Sequence, residues 1–214
     1  MYPTTISDGL YRLLKRLDRS LELRSGYLGG GTALALQLGH RRSDDLDFFF
    51  PEFFSPTAAL TDMDKLGLVV TVLNHTPRHT ELLVQRFKVD LLTETIPLKR
   101  LARPILPEIR NLKMADAADI GRMKLLTVAS RGCKKDFLDI FCLTRHTISL
   151  KSLIDEFISE GQGVRFSKLL FLKGLVDFEA ADLEPDPVML WNLDWNAVKE
   201  DLISEVKQIA HEIC

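Results

Sequence analysis

Cysteine is scarce: Cys133, Cys142 and Cys214 form an odd, scattered trio with no CxxC pair, which argues against a disulfide framework and structural zinc and fits reduced thiols. Long apolar runs are missing too. No stretch approaches the roughly 18 to 20 apolar residues of a membrane helix, and the opening MYPTTISDGLYRLLKRLDRS has no basic start followed by an apolar core. A cytoplasmic protein that uses no membrane is expected. There is little excess of either charge: 28 Lys and Arg against 30 Asp and Glu give −2, which rules out a wholly basic nucleic-acid coat. No internal repeat or low-complexity tract is present. What remains is an ordinary globular composition of 214 residues, 46% hydrophobic and 27% charged. A chain of that size buries about two-thirds of the surface it exposes when unfolded.

Local patterns divide the chain. Leu10, Leu13, Leu14, Leu17 and Leu21 recur at helical spacing behind Ser7 and Asp8, predicting a capped amphipathic helix. Gly26 to Thr32 is an apolar approach into a glycine turn, and Ala33 to Leu38 reads as the helix it opens. Asp45 to Phe50 reads as a strand ended by Pro51. Ser55-Pro56 starts a helix that Gly67 closes, and strands are predicted over 68–73, 80–87 and 88–92. Pro104 and Pro107 then punctuate the chain, and helices are predicted over 116–130, 134–145, 150–159, 167–181 and 195–213. The expected domains are therefore 1–104, an α+β core with a mixed sheet, and 105–214, a helical region closing one side of its cleft.

The order of three elements carries the chemistry. Residues i and i+2 of a strand share a face, so Asp45 and Asp47 project together while Leu46 and Phe48 face the core. A strand carrying Asp90 beside them completes an oxygen-rich cluster suited to one or two Mg²⁺ ions. Without a cation three such carboxylates repel one another. Gly30 and Gly31 let backbone N–H groups approach a phosphate, and the helix start adds its positive end. Triphosphate between amides and metal suits phosphoryl or nucleotidyl transfer.

These residues resemble a known family. Leu28-Gly-Gly-Gly-Thr-Ala-Leu34 followed by Gly39-His-Arg-Arg-Ser-Asp-Asp-Leu-Asp-Phe48 is similar to the signature of polymerase-β-like nucleotidyltransferases, specifically the AbiEii/AbiGii toxins. Lys124-Leu-Leu-Thr-Val-Ala-Ser-Arg131 and Lys134-Lys-Asp-Phe-Leu-Asp139 resemble that family's helical lysine and its later Arg, Lys-Asp and Asp element. The resemblance spans about residues 26–145. It implies a polymerase-β-like fold and a Mg²⁺-dependent (or Mn²⁺-dependent) enzyme that moves a nucleotide from an NTP to an acceptor such as the tRNA 3′ end or other RNA. A toxin–antitoxin or phage-defence role with an antitoxin protein as partner is implied with it. By matching motifs, Asp45, Asp47 and Asp90 are the metal-binding and catalytic carboxylates. Asp136 is a further catalytic candidate, with positioning, proton transfer or pairing to Arg131 or Lys135 left open. Gly30, Gly31, Thr32, Arg42, Ser43 and Lys124 are the nucleotide-binding set.

Rival readings are distinguishable. A catalytically silent module of the same fold would sense nucleotide or bind a protein, and an RNA-binding module would rely on the segment Lys99–Arg145, with eleven Lys or Arg against five Asp or Glu. Asp-x-Asp also occurs in haloacid-dehalogenase-type phosphatases, where three following phenylalanines are out of place. The phenylalanines read as core more readily than as a stacking platform. His75, His79, His146 and His211 lack metal-ligand spacing and receive no role. Lys134-Lys135 reads as a solvated helix start, and Trp191 and Trp195 as anchors for the last helix.

Overall fold

The computed structural model describes residues 1–93, 96–159 and 167–212. Cys214, one of the three cysteines, lies outside them. The chain divides into two compact units, Met1–Asp116 and Ala117–Cys214.

The first unit is built on a seven-stranded mixed sheet of order β3-β4-β5-β2-β1-β7-β6. Helix α1 (Asp8–Leu17) begins where the Ser7 hydroxyl accepts the Leu10 N–H, and it buries Leu10, Leu13, Leu14 and Leu17. It stops before Leu21, which is 70% exposed instead of continuing the stripe. The residue that ends it, Asp18, turns its carboxylate to accept the backbone N–H groups of Asn111 and Leu112. Strand β1 (Tyr27–Leu28) leads through Gly29 into α2 (Gly30–Leu38), and β2 (Leu46–Phe50) returns antiparallel to β1. Helix α3 (Pro56–Lys65) is capped by Ser55. A meander follows: β3 (Val70–Thr76), β4 (His79–Val84) and β5 (Phe87–Thr93), with β5 laid parallel beside β2. Alternation sorts the strands into two faces. Leu46, Phe48, Phe50, Leu82, Val84, Val89 and Leu91 are buried on one, while Asp47, Phe49, His79, Glu81 and Lys88 are only partly covered on the other.

The break expected at Pro104 falls inside a strand. Two strands, β6 (Arg103–Leu106) and β7 (Ile109–Met114), form a hairpin that the sequence reading treated as the start of the helical region. β7 pairs parallel with β1, so the hairpin belongs to the first sheet. The prolines misled because each sits where a sheet tolerates one: Pro104 on the outermost strand, where a missing N–H costs no ladder bond, and Pro107 in the turn.

The second unit is helical: α4 (Ala117–Ser130), α5 (Lys134–His146), α6 (Leu150–Ser159), α7 (Lys168–Gly174), α8 (Glu179–Asp182) and α9 (Trp195–His211). The single helix expected over 167–181 is two pieces. Helix α4 is its centre, packed by α5, α6 and α7 and buried along most of its length. Trp195 anchors α9 as expected: its ring meets Phe137 and Phe178, and its indole N–H donates to Asp182 at 2.7 Å. Among the described residues, no helix is long and apolar enough to cross a membrane.

Candidate active site

The site-bearing surface is the partly open face of the first unit's sheet. Asp47 on β2 is the register partner of Asp90 on β5, and Asp90 is the register partner of Glu81 on β4. Register partners project to one face, so three carboxylates stand in a row across three adjacent strands. The adjacency that the sequence reading made conditional, Asp90 beside the Asp47 strand, is realised.

Two basic side chains, His79 and Lys88, lie against the row. His79 Nε2 lies 2.6 Å from Asp90 Oδ1, and Lys88 Nζ lies 2.9 Å from Glu81 Oε1 and 3.4 Å from Asp90 Oδ2. The Lys88 hydrogen bond is the main reason the Glu81 carboxyl is held below the usual carboxylate range. The same bond, followed in effect by the charge on Asp90, raises Lys88. Asp90 is buried, 7% exposed, while Asp47 is half-buried and Asp45 exposed. His79, Glu81 and Lys88 were not assigned to the site by sequence reading. The alternation in His79-Thr-Glu-Leu-Leu-Val84 carried the signal, because it sets His79 and Glu81 on one face.

The glycine turn lies against this row. Gly30 has φ +62°, the left-handed region that disfavours a side chain, and any Cβ there would overlap the Asp47 carboxylate. The Gly29 N–H donates to the Asp47 carbonyl at 2.8 Å, fixing β2 to the start of α2. The first-turn amides of a helix have no partner within it, so Gly30, Gly31 and Thr32 aim N–H groups and the positive end of α2 out of the turn beside Asp47. That is an anion-binding arrangement.

Thr32 has a different part from the one expected. Its hydroxyl is buried, donates to the Asp45 carbonyl and bonds the Ser43 hydroxyl at 2.8 Å, so Thr32 and Ser43 tie α2 to the loop entering β2. The arginine beside the turn is Arg41, not Arg42. Arg41 is buried, and a Cβ on Gly31 would overlap its guanidinium. Arg42 is exposed and lines a groove with the N-terminal segment, Tyr11 and Glu108.

The second unit's candidates form their own cluster. Lys124 Nζ on α4 is 2.6 Å from Asp136 Oδ1 and 2.7 Å from Asp139 Oδ2 on α5, with both carboxylates fully buried and the lysine 7% exposed. Of the pairings left open for Asp136, the one to Arg131 is present at 3.7 Å, but Lys124 is the closer partner. Lys134, read as solvated, is buried too, and its ammonium donates to the Glu184 carbonyl and to Asp186. Arg122 pairs with Asp119 in the interior at 2.6 Å. Several cations of the basic segment thus hold the helical core together and do not make a surface patch. Cys133 is no activated nucleophile, since burial and Glu184 raise its thiol pKa.

Among the described residues, no three His, Cys, Asp or Glu side chains are gathered closely enough to hold a metal ion by themselves. The expected three-carboxylate cage of Asp45, Asp47 and Asp90 is thus not assembled; the row offers the in-register pair Asp47 and Asp90, with Asp45 just outside the strand. A pair still fits Mg²⁺, which is commonly bound by one or two carboxylates together with water and substrate phosphates. Lying beside the first-turn amides of α2, this pair has the donor set for such an ion.

The family model described as nucleotidyl transferase AbiEii toxin, type IV TA system, matches residues 12–67, which carry the glycine turn, Asp45 and Asp47. An uncharacterised protein of Aquifex aeolicus (strain VF5) is 34% identical over 191 residues, covering 85% of this chain and 86% of its own. The crystal structure of JHP933 from Helicobacter pylori shares the fold, with a TM-score of 0.57 at 16% identity over 97% of this chain and 94% of that one. Through residues 12–67, which carry its glycine turn, Asp45 and Asp47, the chain matches the AbiEii nucleotidyltransferase toxin family, and it is a nucleotidyltransferase.

Proposed function

We propose that the enzyme transfers a nucleotide from an NTP to an RNA acceptor, with the tRNA 3′ end as the first candidate, and that it acts as the toxin of a type IV-like pair restrained by an antitoxin protein. The observation that carries this reading is the in-register pair Asp47 and Asp90 beside the glycine turn. The amides of Gly30 and Gly31 hold the triphosphate, and the positive end of α2 favours its charge. Asp47 and Asp90, with Asp45 available at the strand entrance, are the residues that would hold Mg²⁺ or Mn²⁺. Such an ion, when bound, neutralises phosphate charge and stabilises the departing pyrophosphate. Thr32 and Ser43 keep the loop into β2 in place, and His79 and Lys88 orient Asp90. Lys124 and Asp136 serve this reading as architecture of the second unit, because they are buried and paired with each other.

The experiment is label transfer from each α-³²P nucleoside triphosphate, with Mg²⁺, onto total bacterial RNA and onto the protein, with Asp47→Ala alongside. Label on a tRNA-sized band that Asp47→Ala does not produce is the expected result. Label on neither RNA nor protein overturns the choice of acceptor. Label unchanged in Asp47→Ala overturns the site. Induced expression tests the toxin role: growth should arrest with the parent chain and continue with Asp47→Ala.

A further inference from the structure

A second surface on the first unit has a chemistry that the carboxylate row does not use. Helix α1 and the turn between β4 and β5 enclose an open groove of about 470 Å³ whose walls include Arg12, Arg16 and Arg86 and no acidic residue. Arg12 and Arg16 are one helical turn apart on one face of α1. All three are exposed, and none is ion-paired with a carboxylate among the described residues. Arg16 donates to the Leu66 carbonyl, and the Arg86 guanidinium lies 5.3 Å over the half-buried ring of Phe87, which also lines the groove. Leu13 and Leu68 supply apolar wall. In a chain of net charge −2, three unneutralised guanidiniums around one concavity are a local concentration of positive potential that only an anion relieves.

The composition selects among anions. Guanidinium groups match phosphate oxygens in a planar, two-donor geometry that ammonium groups lack. Cations arranged to track phosphates, with an aromatic ring and apolar wall between them, are the recognised way of holding a single nucleic-acid strand. A free phosphate or a lipid headgroup has no use for the ring.

We propose that this groove binds single-stranded nucleic acid, with phosphates on Arg12, Arg16 and Arg86 and a base against Phe87. The inference rests on the reading of the acceptor as RNA and adds where that acceptor is held away from its reacting end. Phe87 and Asp90 are three residues apart on β5, about 10 Å along a strand, and they project to opposite faces. The groove therefore grips the acceptor outside the carboxylate row and leaves the row to the triphosphate.

The test is anisotropy titration of the full chain with a labelled mixed-sequence RNA of about 12 nucleotides and with the DNA of the same sequence, from about 50 to 200 mM salt. The parent chain is expected to bind with steep salt dependence. In R12Q/R16Q/R86Q the log–log slope should flatten by about 2, from three contacts at about 0.7 each, so the affinity ratio to the parent changes about 20-fold across that range. R12K/R16K/R86K should restore the slope but not the full affinity. If the triple Gln variant is lowered in Tm through loss of the Arg16 bond, R12Q/R86Q gives the same reading with a slope change of about 1.4. Equal binding by parent and Gln variants overturns the proposal, as does a groove protected by ATP and by neither oligonucleotide. The RNA and DNA arms decide which strand is preferred. Failure here is separable from failure of the transfer reading: transfer to RNA without groove-dependent binding removes the groove alone, and groove-dependent binding without transfer removes the active-site reading alone.

Discussion

The two units each gather carboxylates around a lysine, to opposite ends. In the second unit Lys124 sits between Asp136 and Asp139, the acids are sealed from water, and the cation is supplied by the chain. In the first unit Asp47, Asp90 and Glu81 stand in register along a partly open face, with Lys88 and His79 beside Asp90 and Lys88 beside Glu81. A cluster sealed inside a helical core, away from solvent, is architecture. One that lines a partly open face beside the first-turn amides of a helix can meet a ligand, and is a site.

The sharpest way to break this contrast is Lys124→Met. It strands two buried carboxylates, and a loss of about 3–5 kcal/mol is expected in urea denaturation. A variant that unfolds at the parent midpoint would show that the cluster is not structural. Asp47→Asn should do the reverse. Its cost in stability should be well below that of Lys124→Met, because Asp47 is half-buried on an open face and not sealed in a core, while nucleotide transfer falls by at least about 100-fold. Mg²⁺ with NTP is expected to raise the Tm of the parent chain by mass action, a stabilisation of about 2.7 kcal/mol at a hundredfold excess over Kd, and Asp47→Asn is expected to lose that rise.

Next in size is Gly30→Ala, which places a Cβ against Asp47 at a left-handed φ. A cost of at least about 1–2 kcal/mol is expected, with a loss of NTP-induced stabilisation that Gly67→Ala, also at positive φ but away from the row, does not share. The smallest effect concerns pH. Glu81 is lowered by Lys88, so its contribution is present above the ordinary glutamate pKa and lost as pH falls through the lowered folded value. Lys88 is raised, so its contribution is present below the ordinary lysine pKa and lost as pH rises through the raised one. Glu81→Gln should flatten both limbs of a Tm-versus-pH curve by a small amount, as an exposed pair does. Unaltered limbs would show that the pair is not formed in solution.

How legible these features were in the sequence follows from how local their causes are. The capped helix at Ser7, the glycine turn and the faces of β2 depend on neighbours a few residues away, and each stands where the pattern put it. Phe48 is fully buried, as its alternation required. The hairpin 103–114 was hidden because proline is a breaker by rule and acceptable at an edge, and which strand is outermost is set by the whole sheet. Arg41 and Arg42 are indistinguishable in sequence; only the path of the loop sends one under Gly31 and the other outward. Lys124 reads in the sequence as a nucleotide-binding cation and Lys134 as a solvated helix residue, because the carboxylates that pair with them lie twelve or more positions away in the chain.

The turn between β4 and β5 has a consequence for how this enzyme can vary. Its two residues, Gln85 and Arg86, with Gln85 at φ +60°, close Val84 onto Phe87 and thereby fix which residues of the two strands stand opposite. Strand faces have parity two, so a slip of one position between β4 and β5 would send His79 and Glu81 to the side occupied by Leu82 and Val84 and bring apolar side chains up beside Asp90. The apolar side of the sheet resists such a slip with every buried contact it makes. The accuracy of the charged row is therefore guarded by Leu82, Val84, Val89 and Leu91 on the opposite side of the sheet. A single-residue insertion or deletion in that turn would put this parity at risk, whereas a change by two residues would keep it.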